Sequence, residues 1–238
     1  MARRRAETSS EFNAVKPWEV LGETRTPDGT AMALTRRDRE YVILANGKSL
    51  MSSLMHGSEE SLATLACPHL RTVDEPSVLV GGLGMGFTLR ATLDLLPRGA
   101  IVTVAELVPA VVEWNRGPLG PLAGYPLKDK RVRVVVGDVT DVLASSRSRF
   151  DAVLLDVDNG PAPFTAAANA GLYDDRGLAA ARAALKDNGV LAIWSAWDNR
   201  KFVQRLRYAR FDVVVEHVRG RLKKGGPHHT IFLARASS

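Results

Sequence analysis

Residues 78–90 read VLVGGLGMGFTLR, an apolar run that breaks into glycines and then continues at helical spacing. The pattern predicts a strand, a tight turn and a helix. Gly82, Gly84 and Gly86 allow the backbone to turn sharply, and they let a flat or charged ligand approach without meeting a Cβ atom. Such a trio is typical of a nucleotide site, and it also occurs in a plain strand-to-helix turn.

Acidic residues at the ends of the next three apolar runs favour the nucleotide site. The runs are residues 101–105, 132–136 and 152–155. The acids that follow them are Glu106, Asp138 and Asp156. In a parallel sheet the carboxyl ends of the strands share one edge, where dinucleotide-binding units place an acid on the ribose hydroxyls. We therefore expect a row of carboxylates at this edge, with Glu106 on a ribose.

Residues 46–158 resemble the spermidine synthase family, a branch of the class I S-adenosylmethionine (SAM) methyltransferase fold. The resemblance lies in the glycine loop and the acids, in this order and spacing, and in Val80, which stands where typical methyltransferases carry an acid. It implies an α/β, Rossmann-like fold with a mostly parallel seven-stranded sheet and helices on both faces. The remaining residues up to Arg235 fit this fold more loosely.

The resemblance also implies roles for individual positions. The glycine loop would hold the methionine-like part of the nucleotide, Glu106 the ribose, and Asp138 after the third strand the adenine. Leu107 or Val108, directly beyond Glu106, is expected to form the apolar wall of the adenine slot. Asp156 would serve the attacking amine, with Asp158 in the following loop as a second catalytic acid. The positions expected to contact the nucleotide are Gly82, Gly84, Met85, Gly86, Glu106, Leu107, Asp138, Val139 and Asp156.

Two departures from the family pattern bear on the reaction. Met85 stands where the synthases carry an Asp that contacts the propylamine of decarboxylated SAM. Residues 58–62 stand where the synthases carry a Tyr-His pair. Because Met85 offers no partner to a cation, we expect intact SAM and methyl transfer to an amine-bearing small molecule. Aminopropyl transfer from decarboxylated SAM to a polyamine is the alternative, and a nucleotide-binding protein without turnover is a further one. No metal is required.

Candidates for the acceptor pocket are His56, Glu59 and Glu60, which precede the glycine loop, and Tyr173. The two glutamates could equally complement the dipole of a helix over residues 58–67 that Ser58 caps. Tyr173 either closes over the acceptor or anchors the next helix. His228 and His229 would point to opposite faces of a strand, and no third ligand is spaced to form a metal site with them.

The composition is that of a globular protein: 238 residues, 45% hydrophobic and 24% charged. A single cysteine, Cys67, excludes an intramolecular disulfide, and no secretory signal or long apolar run is visible, so we expect a cytoplasmic protein. The net charge of +6 and the basic runs 3–5 and 219–224 leave nucleic-acid binding as a weaker alternative. The resemblance implies a homodimer.

Three segments differ in their patterning. Residues 1–16 lack periodicity and are predicted to be a disordered arm. Residues 17–57 carry turn signals at 27–29 and 45–47, and with short strands predicted over 31–35 and 41–45 they indicate a small β-unit. Residues 58–238 would form the SAM-binding catalytic domain. Within it we predict helices over 109–114, 177–185 and 201–208, a left-handed helix cap at 188–189, a strand over 190–194 and a closing hairpin of 211–218 with 230–234.

Overall fold

A computed structural model describes residues 16–157, 160, 171–221 and 226–236. The predicted N-terminal arm, apart from Lys16, lies outside these residues. So do Asp158 and residues 222–225 of the basic loop.

An antiparallel sheet of four strands forms the N-terminal part of the structure. Its strands follow one another in chain order: β1 (Glu19–Arg25), β2 (Ala31–Arg37), β3 (Glu40–Ala45) and β4 (Lys48–Ser52). Gly29 and Gly47 adopt φ angles of 86° and 76° in two of the connecting turns, where the sequence predicted turns. Strands β1 and β4 were not predicted, because their mostly exposed residues show little apolar alternation.

A second sheet of seven strands confirms the predicted fold class. In chain order its strands are β5 (Ser77–Gly81), β6 (Ile101–Glu106), β7 (Val132–Val136), β8 (Phe150–Leu155), β9 (Leu185–Ser195), β10 (Phe211–Arg219) and β11 (His228–Ala236). In space the order is β10-β11-β9-β8-β5-β6-β7. The five strands from β9 to β7 are parallel, and β11 and β10 pair antiparallel at one end. From β5 the chain adds β6 and then β7 on one side, and it returns to add β8 on the other side of β5. The topological switch point therefore lies between β5 and β8.

Helices cover both faces of this sheet. They are α1 (Gly57–Ala66), α2 (Phe87–Leu95), α3 (Pro109–Arg116), α4 (Val139–Ala144), α5 (Asp175–Ala184) and α6 (Arg200–Tyr208). Alternate residues of β5 serve the two faces: Val78 and Val80 pack in one apolar cluster with α1 to α3, and Leu79 packs in the other with α4 to α6. This double burial explains why the central strands read as continuous apolar runs.

The predicted helix cap at Asn188 and Gly189 is wrong. Asn188 does have a positive φ of 59°, but α5 ends at Ala184 and both residues lie inside β9. The last carbonyls of α5 accept backbone N–H groups from Ser148 and Arg149, each at 2.8 Å. An Asn-Gly pair indicates a left-handed residue. It does not tell whether that residue ends a helix or bends a strand.

Candidate functional site

The glycine loop lies at the switch point, between the ends of β6 and β8. The Gly82 N–H donates to the Ala105 carbonyl at 2.8 Å, and the Asp156 N–H donates to the Gly81 carbonyl at 2.8 Å. Gly82 has a φ of 87°, and a Cβ atom there would lie 2.3 Å from the Asp156 carbonyl oxygen. Glycine is therefore required at this position, both for its backbone angle and for its contact with the end of β8.

Two elements distant in sequence hold the middle of the loop. Met51 of β4 packs against Gly84, where a Cβ atom would lie 2.8 Å from the Met51 Cε. Asn115 of α3, which is almost fully buried, donates its Nδ2 to the Gly84 carbonyl at 2.8 Å. The side chain of Met85 is also buried, in the apolar cluster beneath the loop, so this residue offers a ligand its backbone. Neither Met51 nor Asn115 was predicted from the sequence.

Glu106 is a buried acid whose carboxylate is held by two backbone donors. Its Oε2 accepts the Leu83 N–H at 2.9 Å, and its Oε1 accepts the Val108 N–H at 2.8 Å. A carboxylate can accept about four hydrogen bonds, so two bonds to the backbone do not exclude a ribose hydroxyl. The structure thus adds a role in building the glycine loop, and the ribose contact stays a prediction. The neighbouring Leu107 is 38% exposed, as an apolar wall open to a ligand would be.

Asp138 and Val139 have local roles of their own. Asp138 is the N-cap of α4, and its Oδ1 accepts the Thr140 N–H at 2.8 Å. Val139 is buried and packs against Gly81 beneath the loop. Both lie at the carboxyl end of β7, as expected, and their contact with an adenine stays a prediction.

Asp156 and Glu59 bring two carboxyl groups together beside the loop. Asp156 Oδ2 accepts the Thr88 hydroxyl at 2.5 Å, and the same hydroxyl lies 3.3 Å from the Glu59 backbone oxygen. Burial of its carboxyl raises the pKa of Asp156 to about 6, against the effect of the Thr88 hydrogen bond. Burial, and then the charge of Asp156, raise the pKa of Glu59 to about 8. The two acids therefore share one proton near neutral pH.

The structure separates the three acceptor candidates that precede the glycine loop. Glu59 faces Asp156, whereas His56 Nδ1 lies 2.7 Å from Glu60 Oε1. The His56 ring stacks on Phe87 with 4.1 Å between centroids. His56, Glu60 and Phe87 line a cavity of about 430 Å³ between α1, α2 and residues 122–124. Neither Glu59 nor Asp156 lines it.

Ser58 does not cap α1 as predicted. The helix begins at Gly57, and its N-cap residue, His56, makes no side-chain capping bond. The Ser58 hydroxyl instead donates to Glu59 Oε2 at 2.7 Å. The capping expectation failed because the hydroxyl lies inside the first turn, where tertiary partners compete for it.

Tyr173 packs in the apolar cluster beside α5 and α6. Its ring meets Phe202 edge-on, with 5.8 Å between centroids, and its backbone carbonyl accepts Arg205 Nη1 at 3.1 Å. Only 4% of the residue is exposed. This placement favours the anchoring alternative, and contact with an acceptor stays a prediction.

Neither a metal site nor a membrane span is found in the part of the chain that the structure describes. No three His, Cys, Asp or Glu side chains are grouped there so that they could hold a metal ion. None of the helices described above has the length and apolar character needed to cross a bilayer.

Comparison with known proteins places residues 59–204, more than half of the chain, on the model of the spermine/spermidine synthase domain family. A polyamine aminopropyltransferase of Korarchaeum cryptofilum is 29% identical over 157 residues, which are 65% of this chain and 47% of the relative. One of Saccharolobus solfataricus is 27% identical over 162 residues, 63% of this chain and 50% of the relative. The chain thus spans about half the length of the curated relatives that it matches.

Solved structures agree on the fold. The crystal structure of spermidine synthase from Thermotoga maritima superposes with a TM-score of 0.68 at 16% identity, over 91% of this chain and 72% of that one. A spermidine synthase in complex with the transition state analogue AdoDATO gives a TM-score of 0.65 at 17% identity, with the same coverage.

Proposed function

Because the chain belongs to the spermine/spermidine synthase domain family, we propose that it transfers an aminopropyl group from decarboxylated SAM to the amine of a small molecule such as a polyamine. Aminopropyl transfer was the alternative left by the sequence. Methyl transfer, which we expected from Met85, finds no support in the two curated relatives, since both are polyamine aminopropyltransferases.

The observation that carries this proposal is the position of Asp156. Its backbone touches Gly82 of the glycine loop, and its carboxyl is held by Thr88. An acid there would stand beside the reacting end of a nucleotide whose ribose lies on Glu106. With a pKa raised to about 6, Asp156 is ionised at neutral pH and still a better proton acceptor than an ordinary carboxylate.

The proposed step is a displacement at the carbon next to a sulfonium. An alkyl amine, with a pKa of about 10.4 as in lysine, arrives protonated and must lose one proton before it attacks. Asp156 takes this proton and orients the amine nitrogen. The nitrogen then forms a bond to the propyl carbon, the carbon–sulfur bond breaks, and its electron pair stays on sulfur, which leaves in neutral methylthioadenosine. Since the leaving group is already activated, positioning supplies the remaining catalysis.

The nucleotide-binding part of the proposal rests on the fit of the loop. Gly82 and Gly84 turn the loop at the switch point with φ angles of 87° and 50°, and Glu106 presents an oriented carboxylate at the same edge. Because the Met85 side chain points into the core, the loop supplies no carboxylate to a propylamine. The chain therefore differs at this point from the family pattern.

Product analysis distinguishes the three functions that the sequence left open. The purified protein is incubated with 1,4-diaminobutane or spermidine and with either decarboxylated SAM or SAM, and the products are identified by mass spectrometry. Methylthioadenosine and an aminopropylated amine, formed from decarboxylated SAM, would support the proposal. S-adenosylhomocysteine formed from SAM, with no product from decarboxylated SAM, would establish methyl transfer instead. Binding of methylthioadenosine without either product would indicate a protein that does not turn over.

The homodimer implied by the family stays a prediction. Light scattering on the purified protein would measure its mass against the 25.8 kDa of one chain.

A further inference from the structure

Glu59 is a buried carboxyl group that the reaction proposed above does not use. The residue is 7% exposed, and the Thr88 hydroxyl that donates to Asp156 Oδ2 also lies 3.3 Å from the Glu59 backbone oxygen. Among the described residues, Ser58 is the side chain that hydrogen-bonds the Glu59 carboxyl, through Oε2. The burial of a carboxyl next to a second carboxyl is costly unless a cation or a proton compensates it.

A hydrogen-bonded chain holds Glu59 from behind. The Ser58 hydroxyl, fully buried, donates to Glu59 at 2.7 Å and lies 2.8 Å from Nδ1 of His229 in β11. A hydroxyl has one proton. When Ser58 donates that proton to Glu59, the Nδ1–H of His229 must be the donor in the hydrogen bond to the Ser58 oxygen. The Gly57 N–H donates to the Gly220 carbonyl at 2.9 Å, which fixes the start of α1 to the closing hairpin.

The surroundings of Glu59 contain acids and neutral groups. Burial, and then the charge of His228, lower the pKa of His229, so its ring is neutral at pH 7. The groups near Glu59 are Asp156 at the end of β8, Ser58 on its own helix, Thr88 on α2 and, through Ser58, His229 on β11. Glu60 adds a smaller electrostatic effect, although its carboxyl pairs with His56. This is an environment suited to a ligand that brings a positive charge.

We propose that Glu59, held by Ser58 and His229, is a second carboxyl of the acceptor site and recognises the ammonium form of the acceptor together with Asp156. This inference rests on the proposed function, because it takes Asp156 as the residue that meets the acceptor amine. It assigns specificity for a charged amine to a residue of α1, and it makes Ser58 and His229 positioning residues that act through Glu59.

The test is a binding measurement that needs no turnover. Calorimetry with 1,4-diaminobutane is performed on protein saturated with methylthioadenosine, for the parent, Glu59→Gln, Ser58→Ala and the control Glu60→Gln. Glu60 is the adjacent acid, and it pairs with His56 in the cavity between α1, α2 and residues 122–124. 1,4-Butanediol, of the same length and without charge, is the control ligand. Methylthioadenosine affinity, measured first, shows that each variant keeps its nucleotide site.

The inference requires diamine affinity to fall at least about tenfold in Glu59→Gln, with methylthioadenosine affinity unchanged and Glu60→Gln like the parent. Diamine affinity of the parent should rise as the pH increases through about 8, where Glu59 ionises. Ser58→Ala should move this rise to higher pH, because the Ser58 hydrogen bond lowers the pKa of Glu59.

The inference would be overturned if the parent does not bind the diamine, or if Glu59→Gln binds the diamine as tightly as the parent does. It would also be overturned if Glu59→Gln loses affinity for decarboxylated SAM but not for the diamine. The last result would assign Glu59 to the propylamine of the nucleotide. A failure of the proposed function is seen separately, as the absence of aminopropylated product from the parent.

Discussion

Replacing Glu106 with alanine tests the finding that this acid builds the glycine loop as well as the expected ribose site. The substitution removes both acceptors of a buried carboxylate, and the N–H groups of Leu83 and Val108 lose their partners. A buried donor left without a partner costs about 1–3 kcal/mol, so the free energy of unfolding should fall by about 2–6 kcal/mol. The lower end applies if water enters the space that the carboxylate leaves.

The expected fall can be measured by thermal and urea unfolding. For a protein of this size 1 kcal/mol corresponds to about 2–4 °C, so the Tm of Glu106→Ala should drop by about 4 °C or more. Nucleotide affinity, measured with methylthioadenosine by calorimetry, should fall about tenfold or more. Glu113→Ala is the matched control: Glu113 is an exposed acid on α3 whose ion pair with Arg116 contributes about 1 kcal/mol at most.

Two results would refute parts of this reasoning. An unchanged Tm would show that the two backbone hydrogen bonds do not hold the loop. A lower Tm with unchanged nucleotide affinity would keep the structural role of Glu106 and remove the ribose contact.

Three further predictions concern the loop and the paired acids. Asp156→Asn should leave methylthioadenosine affinity nearly intact and lower turnover by about two to four orders of magnitude, and equal turnover in both proteins would exclude Asp156 as the base. The turnover of the parent should fall as the pH drops through about 6, where Asp156 becomes protonated. Gly82→Ala should unfold at a clearly lower temperature than Gly29→Ala, since both residues have a φ near 86° but only Gly82 would place a Cβ against the Asp156 backbone; equal Tm values would contradict the contact. Glu59 keeps its proton up to about pH 8 in the folded chain but only up to about pH 4.5 in the unfolded chain, so stability falls as the pH rises between these values. In urea titrations at pH 5 and pH 8, Glu59→Gln should show a smaller loss of stability between the two pH values than the parent. An identical loss in both proteins would show that Glu59 is not its source.

Much of the nucleotide edge could be predicted because it depends on local order along the chain. Strands β5, β6 and β8 are buried on both faces and read as apolar runs, and β7, the more exposed edge strand, is also rich in valine. The end of each run lies at the shared carboxyl edge. Residues 78–90 and the acids Glu106 and Asp156 could therefore be placed without coordinates. The expected preference for methyl transfer depended on one loop residue, Met85, and the structure shows that the Met85 side chain is buried.

The partners of these residues could not be predicted, because they come from segments far apart in sequence. Thr88 meets Asp156 across 68 positions, and His229 meets Ser58 across 171. No periodicity in either segment indicates such a contact. The first contact arises because α2 begins beside the end of β8, and the second because α1 packs against the closing hairpin.

The sequence by itself determined the parallel sheet, its glycine loop and the acids at its edge, since strand burial and turn chemistry are local properties of the chain. The tertiary structure alone decided that Glu59 lies beside Asp156 while Glu60, one residue later, lines the cavity between α1 and α2. Successive residues of a helix point about 100° apart, so which of two adjacent acids enters a site depends on how α1 is rotated against α2 and β11. That rotation is set by the packing of buried side chains such as Leu62 and Leu89, and the pKa of Glu59 follows from the burial that results.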